Sequence, residues 1–131
     1  MGTGPNYVLD KGLLVQGVAA VQFGTFYQGG TVAQSATPHT AINQRAIGVA
    51  QETVDAAKVA TGKVFADFRI LGIARVRAGA AVALYARVSP DATGRAITAA
   101  AGSFPAGVAL SAAAAAEEHI DVLLTPGMPA A

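Results

Sequence analysis

The sequence predicts an all-β protein with at most one short helix. The body is expected to be a small β-barrel or β-sandwich, preceded by an extended N-terminal arm. Three observations predict it. A short cassette occurs twice, as Ile47-Gly48-Val49-Ala50 and as Ala106-Gly107-Val108-Ala109. Each copy is followed by small residues and then by a β-like run that closes at a glycine. These runs are Val64 to Ile70 before Gly72, and Ile120 to Leu124 before Gly127. Such recurrence reads as a repeated strand–loop–strand unit. Second, Lys63 to Ile70 alternates, with Val64, Ala66, Phe68 and Ile70 on one side and Lys63, Phe65, Asp67 and Arg69 on the other. Period two with one polar face marks a half-buried strand. Third, turn signals recur at fairly regular intervals, which divides the chain into roughly seven to nine short strands.

Taken in order, residues 1–11 open with Gly2, Gly4 and Pro5, then Tyr7-Val8-Leu9. They read as an extended arm with one sticky patch, and the remainder, residues 12–131, as a single β-rich domain. Gly12 to Tyr27 carries two apolar runs, Leu13-Leu14-Val15 and Phe23 to Tyr27, and Gly29-Gly30 ends it in a turn. Thr31 to Gln44 is small and polar, and predicts a long loop. Arg45 to Thr53 is strand-like. Val54 to Thr61 fits one helical turn or a loop, broken by Gly62.

Ile73 to Arg77 extends the alternation, with Ala74 and Val76 inward and Arg75 and Arg77 outward. That arginine pair reads as a solvated or salt-bridged face. Ala81 to Val88 is expected as a strand, with Val82, Leu84, Ala86 and Val88 inward. Ser89-Pro90-Asp91-Ala92-Thr93-Gly94 is a strong hairpin turn, with Arg95 to Ala100 as its return. The run Ala112 to Ala116 favours helix by propensity but is too short to nucleate one. Ile120 to Leu124 is the last strand.

Composition narrows the function classes. At 131 residues the chain is one domain with room for a modest core. Alanine supplies about a quarter of it, well above ordinary usage. Alanine buries little area, so self-association is expected to supply part of the missing burial. Nine Lys+Arg against eight Asp+Glu form no basic stripe, which argues against a nucleic-acid binder. There is no cysteine, so no disulfide, thiolate site or Cys nucleophile. The N-terminus lacks the character of a signal peptide, and Ala99 to Ala116 is too broken to span a bilayer. The expectation is a soluble protein made in the cytoplasm, with no membrane partner.

No catalytic centre is legible. His39 and His119 lack ligand spacing, so no metal is expected. No phosphate-binding loop is present. Ser35, Ser89, Ser103 and Ser111 lie outside any nucleophile elbow, and the aspartates do not pair on one face. No enzyme activity and no cofactor are expected.

The chain resembles the small capsid decoration (cement) proteins of tailed bacteriophages. The resemblance is carried by Ala46-Ile47-Gly48-Val49-Ala50, Gly72-Ile73-Ala74-Arg75-Val76, Gly79-Ala80-Ala81-Val82, the Asp91-Ala92-Thr93-Gly94 turn, Ala106-Gly107-Val108-Ala109-Leu110 and Ile120-Asp121-Val122-Leu123-Leu124, in that order. It spans about Gly12 to Leu124. It implies a role similar to that of the phage lambda head decoration protein. A homotrimer would bind the outside of an expanded capsid at three-fold and quasi-three-fold positions and clamp neighbouring major capsid protein subunits. An N-terminal arm would pair with capsid strands, and here the contact residues would be Tyr7, Val8 and Leu9. The implied location is the outer surface of the virion. A different class, a β-rich module adhering to a host surface or carbohydrate, would show exposed aromatics. Here Trp is absent and aromatics are 6% of the chain.

Overall fold

A computed structural model describes residues 8–41 and 44–125. Within them the chain forms ten strands and one helical turn. The elements are β1 (Leu9–Val15), β2 (Phe26–Gly29), β3 (Ser35–Pro38), β4 (Ala46–Ala50), α1 (Ala56–Val59), β5 (Phe65–Leu71), β6 (Ile73–Arg77), β7 (Arg87–Pro90), β8 (Ala96–Thr98), β9 (Gly107–Ala109) and β10 (His119–Leu124). The all-β class holds, and α1 is the one short helix among the described residues.

The strands form two five-stranded units. The first is a closed barrel, β1-β3-β2-β4-β5, and the second a sheet in the order β6-β10-β9-β7-β8. Read around the barrel as β1-β5-β4-β2-β3, the first order is the second order strand for strand. The local devices repeat as well. Val21 and Val54 exchange two backbone hydrogen bonds in the first unit, and Val82 and Ala113 do so in the second. The Gly24 amide donates to Ala50 O, and the Tyr85 amide to Ala109 O. Gly24 and Tyr85, at φ +82° and +65°, hold the same left-handed turn, as do Gln34 and Gly94 at +56° and +84°. The repeated cassette is thus β4 and β9, each paired antiparallel with the last strand of its unit.

The glycine of each cassette lets two strands approach closely. A methyl group on Gly48 would sit 3.0 Å from Arg69 O, and one on Gly107 would collide with Leu123 O. Alternation does the rest. Phe68, Ala66, Val15 and Tyr27 fill the barrel, while Val76, Val88, Ile120 and Val122 fill the second core with Ala74 and Ala96. Burying Phe26 and Phe68 contributes about 2–3 kcal/mol each.

The two units differ at one seam. In the barrel the Leu14 amide donates to Gln34 O, closing β1 on β3. In the second unit the counterparts of that pair are Arg77 and Gly94, and they do not meet. The turn of the first unit wedges between them: the Arg77 amide donates to Gly24 O at 2.8 Å, and the Phe26 amide to Gly94 O at 2.7 Å. Phe26, Ala46 and Val49 thereby join the second core.

Three expectations need correction. The Thr31 to Gln44 segment, expected as a loop, contains β3, which pairs with both β1 and β2. Its small residues hide the strand, because the inward position is taken by the fully buried Ala36 rather than by a large apolar side chain. The expected strand from Ala81 to Val88 begins only at Arg87. A turn at Leu84-Tyr85 intervenes and rotates Leu84 outward to 50% exposure. The arm does not extend to Lys11: Leu9, Asp10 and Lys11 already pair with Leu71, Arg69 and Phe68. The cause is long-range, since Asp10 meets its partner Arg69 only once β5 lies alongside. Tyr7 lies outside the described residues.

Candidate functional site

An apolar cluster built from four strands lies where β1, β5, β6 and β10 meet. Val8 and Leu9 enter β1, and Leu9 faces Leu71 across the β1–β5 pair. Leu123 faces Ile73 across the β6–β10 pair. Gly72, at φ +103°, joins β5 to β6 and brings Leu71 and Ile73 to one corner. The Leu124 amide donates to Gly72 O at 2.9 Å, which fastens β10 to the same corner. Val8, Leu9, Leu71, Ile73 and Leu123 are all 41–50% exposed. Single exposed apolar residues are ordinary, whereas neighbouring ones make this corner a candidate contact surface.

The two arginines beside this corner, Arg69 and Arg75, each stand near a carboxylate. Arg69 Nε donates to Asp10 Oδ1 at 2.8 Å and Nη2 to Oδ2 at 3.1 Å, while Nη1 donates to Ile73 O at 3.0 Å. The hydrogen bond to Asp10 raises the Arg69 pKa further, so the guanidinium stays charged. Arg75 and Asp121 approach to 3.7 Å. A self-neutralised rim around an apolar centre suits a protein surface better than a polyanion. The Arg75–Arg77 pair forms a salt-bridged face, with Arg77 3.4 Å from Glu117.

A second polar group lies within the second unit, around the β7–β8 turn. Asp91 Oδ1 accepts from the Thr93 and Arg95 amides, both at 2.9 Å, and Oδ2 from Arg95 Nε at 3.1 Å. Arg95 Nη1 donates to Glu117 Oε1 at 2.7 Å. Partial burial pushes the Asp91 carboxyl up. The hydrogen bonds from Arg95 and Thr93 and the Arg95 charge outweigh it and hold the carboxyl below its ordinary value. This network fixes the β7–β8 hairpin rather than offering a free acid or base.

The remaining candidates for chemistry serve the fold. Ser35 Oγ donates to Val32 O, and Ser103 Oγ to Ala100 O, so both close turns. His39 is buried beside a groove of about 280 Å³ lined by Thr25, Tyr27, Pro38 and Thr93. Burial lowers its pKa, and the Gln44 side chain and the Asp91 charge pull back less strongly. Tyr27 in the same wall is pushed up to about 12 by burial. The threonine hydroxyls of the groove are engaged elsewhere, Thr25 Oγ1 donating to Gln22 O and Thr93 Oγ1 to Asp91 Oδ1. Among the described residues no three His, Asp or Glu side chains cluster as a metal site. No helix among them is long and apolar enough to cross a membrane.

Of the expected contact residues, Val8 and Leu9 stand in the apolar cluster, and Tyr7 lies outside the described residues. Leu71, Ile73 and Leu123 were not singled out by sequence. A signal was present: each shares strand parity with a charged residue, Arg69, Arg75 and Asp121 respectively. A large apolar side chain on the polar face of an alternating strand is the mark of a covered surface.

No protein-family model matches the chain, and no curated protein matches it. Among solved structures the chain is similar to the crystal structure of head fiber gp8.5 N base in bacteriophage phi29. The TM-score is 0.67 at 15% identity, over 91% of this chain and 95% of that one. At this identity the likeness shows a shared fold.

Proposed function

We propose that this chain is a non-enzymatic structural protein of a tailed-phage virion, decorating the outer surface of the expanded capsid. It binds there at three-fold and quasi-three-fold positions as a homotrimer and clamps neighbouring subunits of the major capsid protein. The observation that carries this reading is the apolar corner of Val8, Leu9, Leu71, Ile73 and Leu123, placed where the N-terminal segment enters the barrel. Tyr7, Val8 and Leu9 would add to that surface as one continuous contact, with backbone pairing as its polar component. Many copies on one lattice make modest single-site affinity sufficient. The fold shared with a phage head fiber base supports a place on the phage head.

A second reading is a β-rich module adhering to a host surface or carbohydrate from the virion. It is favoured by the neighbour's being part of a head fiber. The two differ in what covers the apolar corner.

Co-sedimentation with undecorated expanded capsids tests the first reading. The wild-type protein should pellet with the particles, and Ile73→Asp should weaken binding at least about tenfold. Wild-type protein that stays in the supernatant would overturn it.

A further inference from the structure

The chain contains one example of a unit docking on its neighbour. The turn Gln22–Phe26 of the first unit enters the β6–β8 seam of the second. Phe23 lies against His119, ring centroids 6.3 Å apart, and Arg77 Nη1 donates to Gln22 Oε1. Because the units share a topology, both sides of this contact have counterparts elsewhere on the molecule. The counterpart of the inserted turn is Ala83–Arg87 in the second unit. The counterpart of the receiving seam is β1–β3 in the first, with Phe65 in the place of His119.

Among the described residues nothing covers the apolar side chains of either counterpart. Leu84, in the place of Phe23, is 50% exposed, and Tyr85 beside it is 67% exposed. Leu110 follows Ala109, whose carbonyl accepts from the Tyr85 amide, and extends the same surface. Phe65 is 64% exposed and faces Leu14 across the β1–β5 pair. Two apolar side chains that would touch under the internal contact therefore both face solvent. Tyr85 also holds the left-handed conformation that Gly24 uses, without being glycine. The charges match as well. Arg87 is exposed in the place of Phe26. Near Phe65 stand Asp67, which has no ion pair among the described residues, and Glu52, whose Oε2 accepts from the Asp67 amide.

We infer that a second copy of this chain docks its Leu84–Arg87 turn on the Phe65 face of the first. The contact repeats head to tail between chains the one that joins the two units within a chain. It packs Leu84 on Phe65 and brings Arg87 toward Asp67 and Glu52. The barrel seam is suited to this. β1 and β3 pair at two positions only. Opening the Leu14–Gln34 hydrogen bond frees one donor and one acceptor, the pair that the inserted turn satisfies in the second unit. A head-to-tail contact closes into a ring when the rotation allows it. It supplies the interface for the homotrimer of the proposed function, but it rests on the repeat within the fold and not on capsid binding.

The test is sedimentation velocity on full-length protein carrying Leu84→Asp or Phe65→Asp, with far-UV circular dichroism confirming a wild-type fold. The wild type should sediment as an assembly and each variant alone as a monomer. An equimolar mixture should give a dimer and nothing larger, because each variant keeps the face that the other has lost. A monomeric wild type, a variant that assembles like wild type, or a mixture that stays monomeric would each overturn the inference. A monomeric wild type that still pellets with capsids would do so and leave capsid decoration standing.

Discussion

His39 shows how a single residue couples this fold to solution conditions. Its ring is buried, and neither nitrogen has a hydrogen-bond partner among the described residues. Charging it there forfeits hydration that the Gln44 side chain and the Asp91 charge only partly replace, so its folded pKa lies below the ordinary 6.5. The sign follows. Between the unfolded and folded values the unfolded chain holds more protons, so stability rises with pH across that window. The contribution is intact above pH 6.5 and is lost as pH falls from 6.5 through the lower folded value. Urea unfolding should therefore give a falling midpoint on acidification, and His39→Leu should flatten that fall. A wild-type profile that is level below neutrality would remove His39 as its cause. The sequence showed His39 only as a histidine in a polar segment. Its burial depends on β3, which the small residues Ser35 to Pro38 concealed.

At the level of elements, legibility tracked how local the causes were. β5 and β6 announced themselves through alternation, because one buried and one wet face is a property of consecutive residues. The Asp91–Gly94 turn was legible for the same reason: its Asp91 side chain bonds amides two and four residues ahead. β3 and the first residues of β1 were not, because their pairing depends on partners as far away as β5. Leu84 was misplaced because a left-handed Tyr85 breaks the alternation, and no residue type there signals it. The duplicated cassette was legible, and its glycines yield a graded prediction. Gly107→Ala drives a methyl group into Leu123 O and the Val122 side chain, and should cost on the order of 2–3 kcal/mol. Gly62→Ala meets nothing within 4 Å but keeps φ at +73°, and should cost only about 1–2 kcal/mol. Denaturant unfolding of the two variants checks the order, and a Gly107→Ala protein as stable as Gly62→Ala would contradict the close approach of β9 to β10.

On the scale of the whole molecule, the proposed contact surface and the folded barrel meet in β1. The strand closes the barrel through Leu13 and Val15, while its first residues lie in the apolar corner. Truncation can therefore separate a contact from a structural support only if it stops before the barrel. Removing residues 2–10 would delete Leu9 and Asp10, leaving Arg69 without its carboxylate and Leu71 without its cross-strand neighbour. Such a variant would lose stability for reasons unrelated to any partner. Removing residues 2–7 leaves every described strand intact. Under the decoration reading that shorter truncation should keep the wild-type circular dichroism spectrum and unfolding midpoint. It should weaken co-sedimentation with expanded capsids, and adding Ile73→Asp should weaken it further, because the two changes remove neighbouring parts of one surface. If the truncated protein binds as tightly as the full chain while Ile73→Asp does not, adhesion lies in the barrel corner alone. If neither change affects binding, the capsid contact lies on another face of the β body.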